Sequence, residues 1–297
     1  MGIMGITVLL GLLSIPQITR FGAYRQLNQQ VIAQFFEGID TIENQTRNNT
    51  HELISADRSI ASGRSGFEYL NELFVKRHRK LLWKTTWIIS AVCSALFIAG
   101  AAVLQFFPGF RLAAQELILN MLPFWAFILY FMNRGTGITR ALFINCDHSL
   151  LTYSFYKQPE AVLKLFRIRL REITKINAVP ATIIGLGLDV LLLISGGGTW
   201  YECLLIPATM ISLSLFFSLH YLPLYYLLQP FNAGTEVKSG TYQAMTGVTY
   251  FVCYMLMRTE LPAVLFGLLC ITFCAAYSVI ACVLVYKIAP KTFRIRQ

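Results

Sequence analysis

Long uninterrupted apolar runs are the feature that most constrains the fold of this chain. A run of about 20 apolar residues, as a helix, matches the ~30 Å thickness of the hydrocarbon core of a bilayer. Backbone in hydrocarbon must satisfy its own hydrogen bonds, so each run is predicted to be a membrane-spanning helix. The composition agrees, since only 13% of the residues are charged, against roughly 25% in soluble domains. The runs are residues 3–18, 85–107, 112–132, 178–194, 203–228, 242–257 and 262–286.

The predicted fold is therefore an all-α polytopic bundle of about seven spans, with amphipathic cytoplasmic helices. Residues 1–19 form the first span with the N-terminus outside, and residues 20–84 form a cytoplasmic segment. Residues 85–297 form a six-span bundle with a large cytoplasmic loop at 133–177. Small side chains are expected to let helices approach closely in this bundle: Gly185, Gly187, Ala275 and Ala276.

The basic residues indicate the orientation of the spans. All but two of the 25 lysines and arginines fall on one side of the predicted spans, and the exceptions are Arg111 and Arg258. Basic residues accumulate in cytoplasmic loops, so the long loops and the C-terminus are predicted to be cytoplasmic. This bias, together with anionic lipid, accounts for the net charge of +10 without a nucleic-acid partner.

A helical apolar pattern precedes the second run. Phe67, Leu70 and Phe74 recur at helical spacing, and a basic cluster follows them. One interpretation is an amphipathic helix on the inner membrane surface. The other is a helix whose apolar face packs against its own chain.

The loop 133–177 carries the most structured pattern in the chain. Asp147 is predicted to N-cap a short helix, and Pro159 to occupy the first turn of a second one. That second helix has an apolar stripe of Leu163, Phe166, Leu170 and Ile173, and a basic stripe of Lys164, Arg167, Arg171 and Lys175. The pattern is compatible with binding to lipid headgroups, with presentation of aromatic side chains to a cytoplasmic partner, or with a surface helix that has no partner.

Asp189 and His220 are ionisable residues that lie within apolar runs. A charge in hydrocarbon costs at least ~2.5–3.5 kcal/mol, so both are expected to face the bundle interior. They are candidates for a substrate or proton pathway, or for polar contacts that hold helices together.

The sequence lacks recognisable motifs for metal binding or catalysis. Cys146, Asp147 and His148 are adjacent in sequence and do not make a closed metal site, so no metal is expected. The sequence contains neither a phosphate loop nor the motifs of membrane hydrolases. An enzymatic activity is therefore not expected.

Six spans with an amphipathic cytoplasmic insertion between the second and third resemble the membrane subunit of an ABC-2 type exporter. The resemblance extends to the amino-acid sequence. Four segments are similar to those of a group of bacterial ABC permease-like proteins: 133–148, 152–159, 225–230 and 289–293. The resemblance runs from about Phe67 to the C-terminus. Members of that group resemble a two-half protein, and this chain looks like the C-terminal half, with residues 1–18 in the place of the last span of a first half.

The resemblance implies a multi-pass permease of the bacterial plasma membrane that contains no cofactor itself. ATP and Mg²⁺ would bind to a separate ABC ATPase subunit, and a second permease half or a second copy of the chain would complete the transporter. The loop that couples the ATPase to the bundle would then lie at 147–156, with these side chains: Asp147, Leu150, Leu151, Tyr153, Phe155 and Tyr156. The alternatives are an ion-coupled secondary transporter that uses Asp189 and His220, and a membrane immunity protein.

Overall fold

The computed structural model describes residues 63, 65–232, 237 and 239–294. Within that part of the chain the structure is helical, apart from an isolated antiparallel bridge between Phe231 and Val237. The predicted first span at 3–18 and most of the segment 20–84 lie outside the described residues.

Nine α-helices of eight residues or more are present among the described residues. They are α1 Gly66–Arg77, α2 Arg79–Phe106, α3 Arg111–Asn120, α4 Leu122–Met132, α5 Gly135–Leu142, α6 Pro159–Ile194, α7 Trp200–Leu228, α8 Gly240–Met257 and α9 Ala263–Thr292. Between α5 and α6 lie a π-helical turn, Phe143–Asp147, a single α-helical turn, His148–Leu150, and a 3₁₀ turn, Ser154–Lys157.

Four of these helices, α2, α6, α7 and α9, are long and apolar enough to cross a membrane. A fifth span results if the pieces 108–120 and 122–150, which meet at 69°, count as one broken span. These helices are compatible with a multi-pass membrane protein. Helix α8 coincides with the predicted run 242–257, but it contains Gln243 and several threonines and is not among the candidate membrane-spanning helices. Four to five membrane-long helices are therefore described where seven spans were predicted.

Helix α6 joins two segments that the sequence analysis separated. The loop 133–177 and the span 178–194 were predicted as distinct units, but one helix of 36 residues runs from Pro159 to Ile194. At 1.5 Å per residue this helix is ~54 Å long, well beyond the ~30 Å of hydrocarbon. It begins at Pro159, as predicted, and continues through Pro180 without ending. The backbone shows no helix boundary at residue 178, because charged side chains on one exposed face do not interrupt a helix. The predicted start of the membrane span at that residue stays a prediction.

Helix α7 is the centre of the bundle and packs along both α6 and α9, while α2 packs along α6. Two clusters of buried apolar side chains result. One surrounds Phe143, Tyr156 and Tyr225, at the end of the bundle that carries the segment between α5 and α6. The other surrounds Leu188 and Met210.

Glycines allow close contact between helices at two predicted positions. A Cβ at Gly185 would lie 2.8 Å from the Cα of Pro207, and a Cβ at Gly187 would meet the ring of Phe97. The same prediction was wrong for Ala275 and Ala276, whose side chains are exposed.

Helix α1 packs against its own chain. Phe74 is buried in the cluster around Phe143, and Phe67 packs against it. The Phe67 ring lies 6.4 Å from that of Phe155 and 6.3 Å from that of Tyr156, between centroids. Of the two interpretations of this segment, the contacts favour the one in which the apolar face covers protein.

Candidate functional site

A buried ion pair between Asp147 and Arg169 lies beneath the segment that joins α5 to α6. Arg169 Nη1 donates to Asp147 Oδ2 at 2.7 Å, and Nη2 donates to Oδ1. Asp147 is 0% exposed and Arg169 is 2% exposed. Such a bidentate pair fixes both distance and orientation. Since Asp147 ends the π-helical turn and Arg169 lies in α6, the pair clamps the segment onto α6.

Tyrosine hydroxyl groups form further hydrogen bonds with both members of this ion pair. Tyr156 donates to Asp147 Oδ1 at 2.7 Å, and Tyr225 donates to Oδ2. Arg169 Nη1 also donates to the hydroxyl of Tyr226 at 2.9 Å. A buried pair is stable only when such additional hydrogen bonds offset desolvation. The Nε–H of Arg169 is also buried, and it has no hydrogen-bond partner among the described residues.

We refer to Asp147, Tyr156, Arg169, Tyr225 and Tyr226 as the ion-pair cluster. Burial is the main influence on Tyr156, and it raises the pKa of this phenol above its ordinary value of 10. The hydroxyl therefore remains protonated and continues to donate to the carboxylate of Asp147. Because Tyr225 and Tyr226 belong to α7, the cluster also ties the segment to the central helix of the bundle.

The predicted coupling residues divide into buried and exposed sets. Asp147, Leu151 and Tyr156 are buried, and Leu150 is partly buried. Tyr153 is 57% exposed and Phe155 is 44% exposed, with ring centroids 5.8 Å apart. Of the six predicted coupling residues, only this aromatic pair is exposed.

The predicted N-cap role of Asp147 was wrong. Its side chain makes no capping hydrogen bond to the turn His148–Leu150. The carboxylate points instead to the guanidinium of Arg169, because a charge-assisted bidentate contact is stronger than a cap on a single helical turn.

The two stripes predicted on the second helix differ in burial in α6. Phe166 and Ile173 are buried, and Leu163 and Leu170 are partly buried. The basic side chains are all exposed: Lys164, Arg167, Arg171 and Lys175.

Asp189 and His220 both face the bundle interior, as predicted, but they do not form a common site. Asp189 is buried in α6, and its Oδ1 has no partner among the described residues. It lies close enough to Cys203, at the start of α7, to interact with it electrostatically. His220 follows 17 residues later in α7, which corresponds to ~26 Å along the helix.

His220 connects three helices of the bundle. Its Nδ1 lies 2.7 Å from the hydroxyl of Tyr277 in α9, and its Nε2 lies 2.8 Å from Oγ1 of Thr249 in α8. Thr249 Oγ1 donates to the carbonyl of Met245, so it accepts from His220 Nε2–H, and Nδ1 accepts from Tyr277. The contacts are those of a neutral histidine that holds helices together.

Sequence reasoning missed Arg169, Tyr225 and Tyr226. A cation in line with the apolar stripe of α6 was the available signal for Arg169. Within the part of the chain that the structure describes, no three His, Cys, Asp or Glu side chains gather where they could hold a metal ion. Comparison with protein-family models, with curated proteins and with solved structures returned no match.

Proposed function

We propose that this chain is the membrane-spanning subunit of an ATP-driven exporter of the ABC type, in the bacterial plasma membrane. A separate ATPase subunit binds ATP and Mg²⁺ and docks on the exposed pair Tyr153 and Phe155. The observation that carries the proposal is the attachment of this exposed pair to the bundle. The pair sits on a short segment that the buried contact between Asp147 and Arg169 clamps to α6 and α7.

The geometry suits the transmission of a displacement. A load applied at Tyr153 and Phe155 reaches Tyr156 through adjacent backbone, and Tyr156 is bonded to both Asp147 and Arg169. Arg169 belongs to a helix that continues unbroken to Ile194. Closure of the ATPase would therefore move α6 and α7 together. The chain itself contributes docking, rigidity and a path through the bilayer, and hydrolysis takes place on the partner.

The proposal includes the topology predicted from the basic residues, with seven spans and a cytoplasmic C-terminus. It also includes a second permease half, or a second copy of this chain, as the complement of the bundle. The ion-coupled alternative draws less support from the geometry. Asp189 lies near Cys203 at the start of α7, whereas His220 lies ~26 Å further along that helix and is occupied by Tyr277 and Thr249.

The test is purification of the tagged full-length chain from its host in mild detergent, with assay of the co-purifying ATPase. Changing Tyr153 and Phe155 to alanine should reduce the retained ATPase at least roughly tenfold, because exposed aromatic anchors carry much of the energy of an interface. Tyr156 is left unchanged, since it is buried and its loss would disturb the ion-pair cluster.

The matched control is another exposed aromatic pair, Trp200 and Tyr201, at the start of α7. Its double alanine variant should retain as much ATPase as the unmodified chain. A folded chain that carries no ATPase would contradict the proposal, as would equal losses in the two double variants.

A further inference from the structure

The exposed basic stripe of α6 has two parts that differ in their ion pairs. Arg171 and Lys175 share the carboxylate of Glu172, with N–O distances of 3.3 and 3.0 Å. Lys164 and Arg167 form no ion pair with any residue that the structure describes. The half of the stripe near the start of α6 is therefore uncompensated positive charge.

The continuity of α6 fixes how far each part lies from the other end of the helix. Measured from Ile194 at 1.5 Å per residue, Lys175 lies at ~28 Å, Arg167 at ~40 Å and Lys164 at ~45 Å. The hydrocarbon core is ~30 Å thick, and headgroups add roughly 6 Å on each side. With Ile194 at one edge of the hydrocarbon, Lys175 falls at the opposite headgroups. Lys164 and Arg167 extend beyond them into water.

Exposed aromatic side chains, which are common at docking surfaces, lie near Lys164 and Arg167 in the sequence. Tyr153 and Phe155 are exposed a few residues before α6 begins. Glu160 is the one exposed acid in the first turn of α6, and it makes no ion pair with Lys164 among the described contacts. The base of this region is held by the contact of Arg169 with Asp147. Exposed cations on the same stretch of chain as exposed aromatic rings complement a carboxylate-bearing surface with an apolar pocket.

We infer that Lys164 and Arg167 bind an acidic surface of the ATPase subunit, next to the docking position of Tyr153 and Phe155. The inference rests on the proposed function and adds to it the chemical character of the partner surface. Arg171 and Lys175 are not part of this contact, because both form ion pairs with Glu172 and they lie at the level of the headgroups.

Carbodiimide cross-linking of the purified complex gives a direct test, since this reagent joins a lysine amine to a carboxylate in contact with it. Peptides that contain Lys164 should be linked to an Asp or Glu of the ATPase subunit. Lys175 should give no link between subunits. Replacing Lys164 by arginine should abolish the link while the ATPase stays bound, because the charge is kept and the amine is lost.

Charge reversal distinguishes a protein partner from lipid. The full chain is reconstituted in nanodiscs of phosphatidylcholine alone and in nanodiscs with phosphatidylglycerol, and retention of the ATPase is measured. Lys164→Glu together with Arg167→Glu should weaken retention roughly tenfold in both lipids. The control, Arg171→Glu together with Lys175→Glu, should stay within about twofold of the unmodified chain.

The possible outcomes test this inference and the proposed function separately. A bound ATPase that gives no link to Lys164 and is insensitive to the charge reversal would overturn this inference and leave the proposed function standing. A loss confined to phosphatidylglycerol nanodiscs would assign the two cations to lipid and would also overturn it. Absence of any ATPase from the purified chain would overturn both.

Discussion

At the scale of single residues, the contact between Asp147 and Arg169 is the most consequential one described. Both side chains are out of water, so removing either one leaves an unpaired charge in a medium that solvates it poorly. If Arg169 is removed, the hydroxyls of Tyr156 and Tyr225 still hydrogen-bond to the carboxylate of Asp147, but they do not neutralise its charge.

A double-mutant cycle should show this dependence. Arg169→Met alone and Asp147→Leu alone should each lower the free energy of unfolding by about 3–5 kcal/mol, because each leaves a buried charge unpaired. The double variant should lose less than either single variant, since neither charge remains. Unfolding of the full chain in bicelles by added sodium dodecyl sulfate provides the free energies. Losses that simply add would mean that the two side chains act independently.

The ion pair could have been predicted from the sequence, unlike the hydroxyls around it. Arg169 lies two residues from both Arg167 and Arg171, which is ~200° around a helix, and it is in line with Phe166 and Ile173. A cation in that position requires an anion, and Asp147 is the only acid between residues 133 and 159. The contacts of Tyr225 and Tyr226 depend on how α7 packs against α6, which a local pattern does not specify.

At the scale of helices, the crossing of α6 and α7 depends on Gly185. The Cβ of an alanine there would lie 2.8 Å from the Cα of Pro207, and backbone cannot move aside as a flexible side chain can. Gly185→Ala should therefore force the two helices apart and lower the free energy of unfolding by about 1–3 kcal/mol.

Gly247, in the interior of α8, is the matched control because a Cβ there meets nothing within 4 Å. Gly247→Ala should be neutral or stabilising by up to about 1 kcal/mol, since alanine is the better helix former. The same unfolding measurement compares the two variants. Equal effects would show that helix propensity, and not close contact, dominates at Gly185.

Helix α6 shows which helix boundaries a sequence pattern can predict and which it cannot. The start at Pro159 was predictable, because proline favours the first helical turn. The continuity through residues 175–180 was not, since exposed charges and Pro180 suggest a boundary there. Packing of α6 against α2 and α7 stabilises the helix across that point. The local pattern therefore predicted where α6 begins and did not predict that it continues across residue 178.

At the scale of the whole molecule, topology is the prediction with the widest consequences. Positive-inside bias predicts a cytoplasmic C-terminus and an external turn at Gly196–Gly198. A green fluorescent protein fused to the C-terminus should therefore fluoresce in a bacterial host. Alkaline phosphatase fused after Gly197 should be active, and the same enzyme fused to the C-terminus should be inactive. The opposite pattern of activities would invert the topology and remove the docking surface from the cytoplasm.

Composition predicted the helical membrane class of the molecule, but the number of spans is less well defined. The third expected span, 112–132, corresponds to two pieces that meet at 69°, and α8 is not among the helices that are long and apolar enough to cross a membrane. An apolar run shows that a segment avoids water. It does not show whether the segment crosses the bilayer straight, bends within it, or packs against its neighbours.

The sequence separations within the ion-pair cluster imply an order of assembly. Asp147 and Arg169 are 22 residues apart, whereas Tyr225 lies 78 residues from Asp147 and Tyr226 lies 57 residues from Arg169. During synthesis from the N-terminus, the carboxylate and the guanidinium are therefore both available well before α7 leaves the ribosome. Tyr156 is synthesised before Arg169, whereas Tyr225 and Tyr226 arrive last and complete the cluster. The full set of hydrogen bonds therefore forms only after the central helix has been synthesised and has packed against α6.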